Sequence, residues 1–179
     1  SVNWGSHRGG SSWQEFQAGL TVRPVPNIEL SIHPRFTRNQ FNAQWITNID
    51  DNNDGIQDHF VFGRLKNRIL DMTTRANLTF TQDLSLQLYL QPFVATGDYR
   101  LIHELARPSS YAFTPYTNLA FNPDFNTRSM RSNTVLRWEY RPGSLLFLVW
   151  AQSRKAFSTI PSFRPFRNLG NAFTDRGTN

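Results

Sequence analysis

A chain of 179 residues with 39% hydrophobic and 14% aromatic content is long enough for one ordinary domain, yet lean in the apolar residues of a compact core. It holds no cysteine, which excludes disulfide frameworks, thiolate metal sites and cysteine nucleophiles; no run reaches the roughly 18 apolar residues of a membrane-spanning helix. The net charge of +6 comes from 19 Lys and Arg against 13 Asp and Glu, 17 of the cations being Arg, and their scatter argues against nucleic acid as the partner.

Side chains alternate between two faces along a strand, so period-two patterning locates the elements. After an opening segment at residues 2–5 and a Gly/Ser loop at 9–12, strand-like sequence begins at Trp13. Phe16, Ala18, Leu20 and Val22 alternate there with Glu15, Gln17, Gly19, Thr21 and Arg23. Pro24-Val25-Pro26-Asn27 makes a turn. Ile28, Leu30 and Ile32 then alternate with Glu29, Ser31 and His33, more loosely to about Ile46, and a polar loop fills 48–58. Residues 60–81 form one long segment, with Leu70, Met72, Ala76, Leu78 and Phe80 against Asp71, Thr73, Arg75, Asn77 and Thr79. Beyond the turn Thr81-Gln82-Asp83 the pattern is cleanest: Leu84, Leu86, Leu88 and Leu90 against Ser85, Gln87, Tyr89 and Gln91, without helical spacing. Past Gly97 the strand signal lapses, residues 102–106 read as a single helical turn, and a loop rich in Pro, Asn and aromatics runs to about Thr127. A hairpin occupies 132–154, turning at Arg141-Pro142-Gly143-Ser144, with Leu136, Trp138 and Tyr140 on one face and Asn133, Arg137 and Glu139 on the other. The tail beyond Arg154 shows no clear strand.

Short turns near 24–27, 81–83 and 141–144 alternate with long connections near 46–58, 98–127 and 155–179. Consecutive strands reverse direction, so the short turns gather at one end and the long loops at the other. Outer-membrane barrels have this asymmetry, whereas soluble up-and-down barrels rarely sort their loops so cleanly. The fold class is therefore read as all-β, an antiparallel up-and-down meander forming part of an outer-membrane β-barrel, with residues 1–179 a single segment located in the bacterial outer membrane. Leu78, Phe80, Leu84, Leu86, Leu88, Leu90, Leu136, Trp138 and Tyr140 are expected to face lipid, the aromatics Phe80, Trp138 and Tyr140 forming a girdle near the short turns. Glu29, Asp71, Arg75, Arg131, Arg137 and Glu139 are expected to face the lumen. There they form either a solute-selecting path or a ladder of ion pairs that fills a narrow barrel. About seven strands are visible, no targeting segment precedes Ser1, and the chain ends in loop-like Arg176-Gly177-Thr178-Asn179. A closing strand is thus expected to be missing, and the sequence to be a piece of a longer chain.

The most specific local chemistry lies at residues 50–58. Asp50, Asn52 and Asp54 supply oxygen at alternate positions, Gly55 permits a sharp turn, Ile56 offers a backbone carbonyl and Asp58 a further ligand. Val61 stands where a full EF-hand needs an acidic residue, so the readings are a weak calcium site or a solvated Asn/Asp turn. Arg64, Lys66 and Arg68 at a strand end suit the phosphates of lipopolysaccharide, or form a solvated rim; outer-membrane lipid and lipopolysaccharide are the expected partners. Trp45, Tyr111, Phe113, Tyr116 and Phe121 suit stacking on sugar rings, which makes glycan a further candidate, or pack the loops together. His7, His33, His59 and His103 are dispersed without metal-ligand spacing, and no Ser lies in G-x-S-x-G. Glu104 adjoins His103, but neighbours on a strand point to opposite faces. No catalytic residue is assigned, and calcium is the one cofactor considered.

Residues 136–154, LRWEYRPGSLLFLVWAQSR, carry a resemblance to a known family. Supporting stretches are residues 78–81, 84–89, 91–93, 125–126 and 131–133, so the likeness covers about residues 60–155. The chain resembles the uncharacterised C-terminal β-barrel-like domain of bacterial outer-membrane proteins that carry an N-terminal family-9 carbohydrate-binding-like module. The resemblance implies an outer-membrane location and an absent glycan-binding-like module. It carries over no catalytic residues, and the further aromatic-rich strand that ends its members is not found in this sequence. The expected role is a membrane anchor or solute channel for a surface or periplasmic glycan-related module. The rivals are a soluble carbohydrate-binding β-domain and a membrane-associated hydrolase.

Overall fold

Alternation runs through most of the chain, and most of the described chain is strand. The computed structural model describes residues 1–7, 9–107 and 109–174; Arg176-Gly177-Thr178-Asn179, expected to be loop, lie outside them. Its elements are β1 (Val2–Ser6), β2 (Ser12–Gln17), β3 (Leu20–Val25), β4 (Ile28–Ile49), β5 (His59–Thr79), β6 (Leu84–Leu105), β7 (Phe113–Pro115), β8 (Phe125–Arg141), β9 (Ser144–Ser158) and a helix, α1 (Pro165–Thr174). The strands pair antiparallel in one sheet whose main path is β1-β2-β4-β5-β6-β8-β9. β2 and β3 lie end to end beside successive parts of β4, and β7 pairs with the end of β6. The result is an all-β antiparallel meander, consistent with a section of barrel wall; among the described residues the sheet does not close.

The short turns are built as their residues dictate. Pro142 presets one backbone angle and Gly143, at φ 78°, takes the left-handed conformation that other residues avoid. The Gly143 N–H donates to Glu139 Oε1 at 2.8 Å, tying the turn to β8.

Three expectations need correction. Residues 102–106 are not a helical turn: β6 continues to Leu105, where β7 pairs with it. The register slips opposite Phe62 and Arg64, and Leu101 sits at φ 50°. That irregularity shifts the alternation by one residue, which hides a strand from a period-two reading. The described part of the tail, to Thr174, is also built of regular elements: β9 reaches Ser158, held by β8, and α1 follows with Pro165 at its first position, where the missing N–H costs no helical bond. Among the described residues nine strands stand where seven or so are expected, because β1 and β7, at five and three residues, are too short for periodicity to register.

Few apolar side chains are buried, chiefly Val61, Leu65, Val94 and Met130. The accessible surface is 12276 Å², whereas a compact chain of 20.7 kDa would expose about 8,900 Å². A sheet with most of both faces uncovered accounts for the excess.

Candidate functional site

Strand register sorts the chemistry onto two faces. Opposite one another across β4, β5 and β6 stand Ile28, Leu78 and Leu86, and nearer the long loops Phe36, Leu70 and Val94. Between these rows, residues 28–36, 70–78 and 86–94 each offer five same-face positions, and Thr74 is the single polar residue among the fifteen. β8 and β9 extend the band through Leu136 and Leu148, then Trp138 and Leu146. Leu78, Leu84, Leu86, Leu88, Leu90, Leu136 and Trp138 all belong to this face. Phe80 and Tyr140 flank the short turns, and Trp138 packs edge-on to Tyr140 at 6.1 Å. Trp138, Tyr140, Leu148 and Trp150 are exposed.

Just above the band the same face turns cationic. Arg38 stands directly opposite Arg68, and Arg64 opposite Arg100, which Asp98 on the same face already pairs at 3.1 Å. Like charges in direct cross-strand pairs destabilise a sheet unless an anion or solvent screens them. Arg128 and Arg154 continue the line on β8 and β9, each one same-face position lower than the last. Of these, only Arg64 and Arg68, with Lys66, carried a sequence signal as a cluster; Arg38, Arg128 and Arg154 are far off in the chain, and pairing brings them into line. α1 and the segment before it lie against this boundary. Phe163 packs on Phe36 at 5.7 Å, with the Arg68 guanidinium 5.9 Å from its ring, while α1 buries Asn168 and Ala172 and leaves Phe166 exposed.

Glu29, Asp71, Arg75, Arg131, Arg137 and Glu139 come together on the opposite face. Arg35 donates to Asp71, its direct cross-strand partner, at 2.8 Å. Arg23 pairs with Glu29, and Arg137 with Glu139 at 3.5 Å. The Arg75 guanidinium stacks on Tyr89 at 5.6 Å, and Arg131 stands opposite Gln91. Nearer the long loops Asn39 donates to Asn67 and Asn67 to the Thr96 carbonyl, at 3.0 and 3.1 Å.

The long-loop end gathers residues that sequence spacing kept apart. In the 50–58 loop, Asp50 accepts the N–H groups of Asp54 and Gly55, Asp54 accepts that of Ile56, and Asp58 that of Asp51. The side-chain oxygens expected to face calcium thus hold the loop's own backbone. Among the described residues, no three His, Cys, Asp or Glu side chains are grouped to hold a metal ion. His59 joins this loop to β6: its Nδ1 pairs with Glu104 and its Nε2 with Asp51 Oδ2 at 3.1 Å. Hydrogen bonds to Glu104 first, then Asp51, raise the imidazole pKa. His103 points to the other face and stacks on Phe113 at 4.3 Å; burial lowers its pKa. Tyr116 packs on His59 at 5.1 Å, whereas Tyr111, Trp45 and Phe121 are exposed. The His59–Glu104 pair spans 45 residues, and only the β5–β6 register reveals it.

A protein-family profile described as a domain of unknown function, DUF5916, matches residues 4–179. No curated protein and no solved structure matches the chain.

Proposed function

The chain belongs to the DUF5916 family, and on that footing we propose that it is a section of a bacterial outer-membrane β-barrel that anchors an associated glycan-related module. The carrying observation is the band. Nine residues per strand rise about 30 Å along the strand, or about 21–25 Å at a tilt of 35–45°, the height of the apolar belt of such barrels. Phe80, Trp138 and Tyr140 supply the girdle below it. The arginine line above it suits lipopolysaccharide phosphates, which would relieve the Arg38–Arg68 repulsion. α1, with Phe166 exposed and Arg167 beside it, suits the membrane interface. The opposite face favours an anchor over a channel, because its charges are largely spent on one another.

The chain has no cysteine, so single cysteines can carry nitroxide labels without background. In liposomes, labels at Leu86→Cys, Leu88→Cys and Leu136→Cys are expected to collide with oxygen dissolved in lipid. Labels at Ser85→Cys, Gln87→Cys and Arg137→Cys are expected to collide with a water-soluble nickel complex. Equal water access at both sets, or a monodisperse chain without detergent, would sink the proposal. Within it, residues 50–58 are an external brace that calcium tightens weakly; calorimetry then registers binding that Asp54→Ala removes, and no heat at about 1 mM calcium ends that part.

A further inference from the structure

Two cavities lie one above the other on the face of the apolar band, along β2 and β4. The lower, of about 350 Å³, has Val2, Phe16, Ala18, Pro34, Phe36 and Leu70 in its walls, with Ser1 and Gln17 completing them. It sits where β2 gives way to β3 and the Ala18 N–H donates to the Pro34 carbonyl at 3.1 Å. Two such compact side chains leave a groove that a larger pair would fill. Phe16 and Phe36 stack at 6.4 Å on its long-loop side. The upper cavity, of about 150 Å³, is lined by Ser12, Gln14, Arg38 and Gln40. Register fixes their order. One same-face step beyond Phe36, about 7 Å along the strand, Arg38 stands between Gln14 on β2 and Arg68 on β5. Phe163 packs on Phe36 at 5.7 Å and carries the Arg68 guanidinium 5.9 Å from its ring, which holds that charge near the head of the groove. Among the described residues, neither Arg38 nor Arg68 is in an ion pair.

We propose that the two cavities together hold one lipid with a phosphomonoester headgroup, the chemistry of the phosphates of lipid A. Arg38 and Arg68 take its phosphate, and one acyl chain lies along Phe16, Phe36 and Leu70. The inference rests on the outer-membrane reading and names the ligand of one point on the arginine line. A neutral lipid would fill the groove and leave two guanidiniums facing each other across the strands, which destabilises the sheet. Free phosphate would relieve that repulsion and leave the groove to water. A phosphate joined to an acyl chain through a glycerol or sugar spans the step between them. The monoester is favoured by charge: it carries about −1.5 to −2 at pH 7 and so balances two arginines, whereas a diester carries about one charge. Each guanidinium donates two N–H groups to phosphate oxygens, and the Gln14 and Gln40 amides add donors beside them.

The test is native mass spectrometry of the purified chain in an amine oxide detergent, with gas-phase activation to strip loosely attached lipid. The probes are dioleoyl phosphatidic acid, a monoester, dioleoyl phosphatidylglycerol, a diester, and dioleoylglycerol, which has no phosphate. One phosphatidic acid is expected to stay bound, at about tenfold the occupancy of phosphatidylglycerol, with dioleoylglycerol stripped. Arg38→Gln and Phe16→Ser are each expected to cut that occupancy about tenfold. Both side chains are exposed, so their loss spares the fold, which the circular dichroism of each variant checks. Glycerol 3-phosphate, the same headgroup without chains, is expected not to displace the lipid. Equal retention of the three lipids, equal retention in wild type and Arg38→Gln, or displacement by glycerol 3-phosphate overturns the site. The nitroxide labels answer separately. Lipid contact at Leu86, Leu88 and Leu136 with no phosphatidic acid retained ends this inference alone, whereas water access at those positions ends the membrane reading and the site with it.

Discussion

His59 couples the 50–58 loop to the sheet through a proton. Both its neighbours are carboxylates, so the structure stabilises the imidazolium, and the folded-state pKa lies above the ordinary value of about 6.5. A raised pKa contributes stability that is complete below the unfolded pKa and is lost as the pH rises through the folded one. The loop is therefore held most firmly in mild acid and loosens above about pH 6.5. NMR titration of the His59 ring is expected to give a midpoint above that value, lowered more by Glu104→Gln than by Asp51→Asn, in keeping with the order of their effects. Over the same range the melting advantage of the wild type over His59→Gln should shrink. A midpoint at or below the ordinary value would mean the two carboxylates do not engage the ring. His103 provides an internal contrast, since burial pushes its pKa the other way.

Elements with a free-running alternation were legible from the residues alone. β6 from Leu84 to Gln91, both strands of the 144-centred hairpin and the three short turns lie where period two and Pro/Gly chemistry place them. The same periodicity separated the two faces, because register in an antiparallel pair carries each face intact onto its neighbour. What failed to show has a physical cause in each case. The slip at Leu101 reverses the phase of β6, so its last residues mimic a helical spacing. Glycine–aromatic pairing is equally silent in one dimension: Phe125 lies over Gly97 and Trp13 over Gly5, each pair in direct register, and neither glycine signals its partner. α1 has apolar residues at helical spacing but depends on the sheet for a surface to pack against, so nothing local announces it. The His59–Glu104 pair is a product of pairing between distant strands, which composition and spacing do not encode.

At the scale of the whole molecule, the membrane reading proposed above makes the upper edge of the apolar band a bilayer surface. Its upper boundary runs level across Arg38 and Arg68, then steps down to Arg128 on β8 and Arg154 on β9. A plane cutting tilted strands crosses them at successively shifted residues, which is how a membrane surface meets a barrel wall. Depth then becomes a measurable property of each position. Leu90 lies at the middle of the band, opposite Thr74 and Ser132, whereas Leu84 lies at its lower edge opposite Trp138. In lipid, Leu90→Arg is expected to cost about 2–4 kcal/mol and Leu84→Arg about 0–1 kcal/mol, read from urea unfolding in liposomes. In water the two half-buried leucines would respond alike, because an arginine can carry its charge out to solvent along its own stem at either site. A depth-dependent penalty therefore places the Leu84–Leu90 face against hydrocarbon, and equal penalties place it against water or another protein layer.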